Sequence, residues 1–88
     1  MIPYKQHAHD LFKHLLKKRT PALKIDMRNG QSTVSIHRLD ESSVWVFFSA
    51  NGVRVNLYNK NGGRICFHDT QDFSASGLVK LMSSFPKI

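Results

Sequence analysis

Very little in this sequence of 88 residues suggests a disulfide-built, membrane-embedded or catalytic protein. Cysteine occurs once, at Cys66, so no disulfide forms within the chain and nothing implies an oxidising compartment. A cytoplasmic location is the expectation. No segment approaches the ~18 consecutive apolar residues of a membrane-crossing helix. The opening MIPYKQHAHD has neither the apolar run nor the small-residue cleavage site of a signal peptide, so no membrane partner is expected. There is no glycine-rich phosphate loop, no nucleophile elbow and no pair of acids set for acid–base work, which favours a non-catalytic role. Acidic residues are scarce: six Asp and Glu stand against thirteen Lys and Arg, a formal charge of +7. Such a field attracts phosphate backbones or acidic protein surfaces.

What the chain does contain suffices for one small core. Its hydrophobic content is 41%, with no repeat, linker or low-complexity stretch, and residues 1–88 read as a single compact domain. A chain of this size buries only about 60 to 65% of its unfolded surface, so a second copy or a partner would add stability.

Tyr4, Ala8, Leu11, Phe12, Leu15 and Leu16 recur at helical spacing and predict an amphipathic helix over 4–19. Lys17, Lys18 and Arg19 suit the negative end of its dipole, and Thr20-Pro21 stops it. Three Asn-Gly pairs follow, at 29–30, 51–52 and 61–62. Each supplies the positive φ angles of tight hairpins, which predicts strands near 22–28, 32–39, 43–50, 53–59 and 64–68. Two-residue turns would pair Ile25 with Val34, Leu23 with Ile36, Phe48 with Val55 and Val46 with Leu57, sorting the apolar residues onto one face. For the fifth strand, a bulge at Gly63 is expected, because it would carry Ile65 and Phe67 into the core. Ser74 is placed to cap a last helix with Phe73 stapled to Leu78, and Pro86 to end it. The predicted fold class is α+β: an N-terminal helix, a five-stranded antiparallel meander and a C-terminal helix. A small SH3-like or Sm-like barrel is the alternative.

In this register the other face carries Lys24, Asp26, Arg28, Ser35, His37, Trp45, Phe47, Arg54, Asn56, Tyr58, Arg64, Cys66 and His68. Bases of single-stranded RNA or DNA stack on exposed rings while Arg and Lys follow the phosphates. The leading expectation is therefore non-catalytic binding of single-stranded nucleic acid through Lys24, Arg28, His37, Trp45, Phe47, Arg54, Tyr58 and Arg64. The same rings would also suit a second core layer under a helix, or a protein interface. In the latter case the protein is a small inhibitor or modulator that forms a homodimer or grips an acidic or ribonucleoprotein partner. A third reading is a ribonuclease centred on His37 and His68.

Among His7, His9, Asp10 and His14, the three residues His7, Asp10 and His14 share a helix side at metal-ligand spacing but have no fourth ligand in sequence, and neither metal nor other cofactor is expected. The basic cluster Lys13, Lys17, Lys18, Arg19 and Lys24 reads as a solvated face.

A helix followed by five strands resembles the Sm-like RNA-binding architecture, and LLKKRTPALKIDMRNG (15–30) is similar to the helix end, proline, first strand and Asn-Gly turn found there. Helix–sheet–helix order is also similar to the double-stranded RNA-binding domain. That family, however, has three strands and a lysine cluster opening its second helix, where this chain has SASGLVK. Neither resemblance transfers a functional residue.

Overall fold

The computed structural model describes residues 3–85, so Pro86 lies outside the described residues. Helix α1 (Tyr4–Lys17) leads into strands β1 (Lys24–Arg28), β2 (Thr33–His37), β3 (Ser43–Ser49), β4 (Gly52–Tyr58) and β5 (Arg64–Thr70), and helix α2 (Ala75–Ser83) closes the chain. The strands form one antiparallel sheet in sequence order with β1 and β5 at its edges. The sheet is open, so the barrel alternative is set aside: β1 and β5 do not pair.

Both helices pack on one face. Ala8, Leu11 and Leu15 of α1 and Leu78 of α2 join Val34, Ile36, Val44, Val46, Phe48, Val53, Val55 and Leu57 in a single buried cluster. Burying a side chain of this kind contributes about 1.5 to 3 kcal/mol, so this layer dominates stability. Helix α2 starts as its sequence requires: Ser74 Oγ accepts from Gly77 N at 3.2 Å, and Asp72 Oδ1 accepts from both Ser74 N and Ser74 Oγ. Those bonds hold the Asp72 carboxyl below the usual carboxylate range. Two expected core residues are outside it. Leu16 is exposed on α1, and Leu23 is exposed just before β1 although its N–H donates to His37 O at 2.7 Å. No helix among the described residues is long and apolar enough to cross a membrane.

The strand registers differ from those expected, yet four strands keep their faces. In the first hairpin, Asn29 and Gly30 take φ of 52° and 66°, and Gln31 N donates to Arg28 O at 3.1 Å, so the tight turn lies where the sequence places it. Gln31 is also left-handed, at φ 71°, and the strand resumes only at Thr33. The pairs become Ile25 with Ile36 and Met27 with Val34. The next hairpin turns on Ala50 and Asn51, pairing Val46 with Val55 and Phe48 with Val53. Glycine is needed just past that turn: Gly52 has φ 149°, and a Cβ there would meet Thr70 O at 3.0 Å. Between β2 and β3, Ile36 pairs with Val44. Every displacement is even, and side-chain direction has period two, so no residue of β1 to β4 changes face.

Strand β5 does change face. Asn59 Oδ1 accepts from Asn61 N and Gly63 N, both at 2.9 Å, which locks Gly63 into the loop and leaves the irregularity to fall later. Tyr58 pairs with Arg64 but Leu57 pairs with Cys66, so Ile65 is the extra residue. The one-residue difference reverses the expectation. Cys66, His68 and Thr70 lie on the helix side opposite Leu57, Val55 and Val53, whereas Phe67 stands opposite Asn56 on the outer face. Ile65 and Phe67 are 43% and 46% exposed rather than core.

Candidate nucleic-acid interface

Strand pairing arranges the outer face as three rows running across the sheet. The central row is Asp26, Ser35, Trp45, Asn56 and Phe67. On one side lie Arg28, Thr33, Phe47, Arg54 and Asp69, and on the other Lys24, His37, Ser43, Tyr58 and Arg64. All eight expected site residues share this face. Rings fill its middle and cations stand toward its edges, because β1, β4 and β5 carry the basic residues while β3 carries Trp45 and Phe47.

The rings form one cluster. Trp45 and Phe47 lie nearly parallel, 19° apart with centroids at 6.2 Å, and Tyr58 meets Trp45 edge-on at 6.4 Å. The Val46–Leu57 pairing that two-residue turns predict would set Trp45 opposite Tyr58; it stands opposite Ser35 and Asn56 instead, with Tyr58 diagonal to it. His37, Ser43, Trp45, Phe47, Tyr58 and Gly62 line a shallow apolar depression. Among the described residues no element covers it, since both helices pack on the opposite face. The rings are therefore not a second core layer; they are half-exposed.

Each cation is differently engaged. The Arg28 guanidinium lies 5.5 Å from the Trp45 ring centroid and 3.4 Å from Asp26, which also pairs with Lys24 at 3.3 Å. Arg54 grips Asp69 through two bonds of 2.7 and 2.9 Å, so it is less available to a phosphate than the sequence suggests. That pairing raises the Arg54 pKa and holds the Asp69 carboxyl below its ordinary range. Arg54 and Arg64 both stack on Phe67, each 4.7 Å from its centroid. Phe67 and Asp69 are thus part of the face, and sequence reasoning missed both because it misplaced one bulge.

Small polar residues share this face with the rings. Thr33 and Ser35 on β2 and Asn56 on β4 are buried although they point to the uncovered side. Asn29 Nδ2 donates to Thr33 Oγ1 at 3.0 Å, but Ser35 Oγ and Asn56 Oδ1 have no partner among the described residues. Each such buried orphan costs about 1 to 3 kcal/mol.

The histidines divide. His37 stays on the outer face, while His68 lies behind the sheet in a groove with Gly77, Leu78, Lys80 and Leu81 of α2. The two cannot act on one phosphate, which removes the geometry a nuclease centred on them requires. On α1, His7 stacks with Phe73 at 4.9 Å, His9 bonds Gln31 at 2.6 Å and Asp10 accepts from Gln6 at 3.0 Å. Among the described residues, no three His, Cys, Asp or Glu side chains gather as a metal site.

Fold and face together define a two-layer α+β protein with a helix-backed sheet and an uncovered aromatic and basic surface. No protein-family model matches the chain, and neither a curated protein nor a solved structure matches it significantly. The likeness to Sm-like proteins is therefore one of element order alone, and functional inference rests on the geometry.

Proposed function

We propose that the protein binds single-stranded nucleic acid, without catalysis, on the outer face of its sheet. The observation that carries this reading is the ring cluster of Trp45, Phe47 and Tyr58, with Phe67 on the same face, left uncovered among the described residues and bordered by Lys24, Arg28 and Arg64. Stacking one base on a protein ring contributes about 1 to 3 kcal/mol, so two or three rings with phosphate contacts support micromolar affinity. Arg54 borders the same rings, paired with Asp69 and stacked on Phe67.

Trp45 is the only tryptophan, and its fluorescence reports the face directly. Titration with a short single-stranded oligonucleotide should quench it. With Lys24, Arg28 and Arg64 on phosphates, the logarithm of the binding constant should fall against the logarithm of salt with a slope of about −2. Emission that ignores the oligonucleotide at low salt would defeat the proposal.

A second reading draws support from Ile65 and Phe67, which are exposed on an edge strand. Exposed apolar side chains beside unpaired backbone groups also suit a protein partner or a second copy, in keeping with an inhibitor or modulator role. Concentration-dependent sedimentation together with salt-insensitive Trp45 emission would favour it.

A further inference from the structure

Two hollows on the outer face meet at Phe47. One is the depression at the Tyr58 end of β3, and the other opens at the far end, where Ser49, Gly52, Arg54 and Thr70 line it. End to end they form a shallow trough along the β3–β4 hairpin, from the pair of Ser43 and Tyr58 to the turn before Gly52. A strand rises about 3.3 Å per residue, so the 7 residues of β3 give the trough a length of about 20 Å.

The rings follow that trough. Tyr58, Trp45 and Phe47 each belong to a different row across the sheet, and their centroids step along β3 at 6.4 and then 6.2 Å. Those steps approach the base spacing of a single strand drawn out to about twice the roughly 3.4 Å rise of a stacked one. No row across the sheet offers such a series. Apart from the His37 imidazole, the rows through Phe47 and Tyr58 carry one ring each. The central row has two, Trp45 and Phe67, but they stand two strands apart, about 9.6 Å, and Asp26 ends that row with a carboxylate that repels phosphate. Cations flank the line of rings without interrupting it. Lys24 and Arg28 stand on its β1 side, Arg54 and Arg64 on its β5 side, and the Arg28 guanidinium lies 5.5 Å from the Trp45 centroid.

We infer that the face holds a run of three unpaired nucleotides laid lengthwise along β3, one base against each of Tyr58, Trp45 and Phe47, with the phosphates met by the flanking cations. This inference rests on the proposed nucleic-acid binding and adds a direction and a length to it. A duplex does not fit the trough, because its bases are stacked at half this spacing and paired with each other. The ligand is therefore any loop, gap or end that leaves three bases free.

The test titrates Trp45 fluorescence with oligothymidylates of one to six nucleotides, using wild type, Phe47→Ala, Tyr58→Ala and Phe67→Ala. In wild type each step from one to three nucleotides should raise affinity about fivefold or more, the lower end of what one stacked base contributes. Beyond three, affinity should grow only by the extra registers a longer chain can adopt. Phe47→Ala and Tyr58→Ala each remove an end ring, so both should lose the step from two to three. Phe67 lies off the line and carries Arg54 and Arg64, so Phe67→Ala should lower affinity by a similar factor at every length. Saturation at two nucleotides, or a further step of the same size from three to four, would overturn the lengthwise run and leave the binding proposal standing. So would loss of the last step in Phe67→Ala but not in Phe47→Ala. The wild-type series decides the matter even if a variant folds poorly. Absence of wild-type binding at six nucleotides would overturn both.

Discussion

The two faces of this sheet come from the same five strands and obey different rules. On the helix side, Val34, Ile36, Val44, Val46, Phe48, Val53, Val55 and Leu57 are apolar and almost fully buried. On the other side, half-exposed rings stand beside the buried polar Ser35 and Asn56, and ion pairs fill the margins. The helix side of β2 to β4 is uniformly apolar, whereas the outer face buries the polar Thr33, Ser35 and Asn56 among its rings. The contrast separates residues that hold the fold from residues that present a surface.

Substitution on each face sharpens that contrast. Leu57→Ala, on the helix side, should cost about 2 to 5 kcal/mol, since Leu57 is fully buried against both helices' layer and leaves a cavity. For a domain of this size each kcal/mol lowers Tm by about 4 to 8 °C, so denaturant and thermal unfolding both read the loss. Trp45→Ala should do the reverse. It should lower oligonucleotide affinity about tenfold through lost stacking while costing less stability than Leu57→Ala. If Trp45→Ala instead unfolded the protein, the outer face would be core and the distinction would collapse.

Asp69→Asn should produce the smallest effect, a gain. It releases Arg54 from its two-bond grip and makes one more cation available to phosphate, steepening the salt slope by about 0.7. Low pH should act in the same direction, and its sign follows from the shift. The Asp69 and Asp72 pKa values are lowered in the folded protein by bonds from Arg54 and Ser74. Their contribution to stability is complete above the ordinary carboxylate value of about 4 and is lost as pH falls through the lowered native values. An unfolding series below that range should show the loss, with the Asp69 share absent from Asp69→Asn.

Much of this surface was legible without coordinates, and particular residues show why. Trp45, Phe47, Tyr58, Lys24, Arg28, Arg54 and His37 fall on the face expected for them even though no hairpin register is as expected. An even slip moves pairs along the sheet but never turns a side chain over. For the same reason Trp45 was assigned the correct face and the wrong partner, Tyr58 in place of Asn56. Which residues flank Trp45 depends on that register, so Ser35 and Asn56 could not be read beforehand as its neighbours. Strand β5 failed for the opposite reason. Placing the bulge at Gly63 rather than Ile65 is an odd slip, and it exchanged Phe67 and Asp69 for Cys66 and His68.

By itself, then, the sequence determined the order of elements, the apolar stripe of α1, the capping of α2 by Ser74 and the two-sided character of β1 to β4. Those properties follow from local spacing and local hydrogen bonds, which a chain carries wherever it folds. Tertiary structure decided the rest: that both helices pack on one face, leaving the rings uncovered; that the Asn59 side chain closes its loop and moves the bulge to Ile65; and that Arg54 spends its charge on Asp69. Each depends on groups brought together from distant parts of the chain, where a displacement of one residue changes which side chains meet.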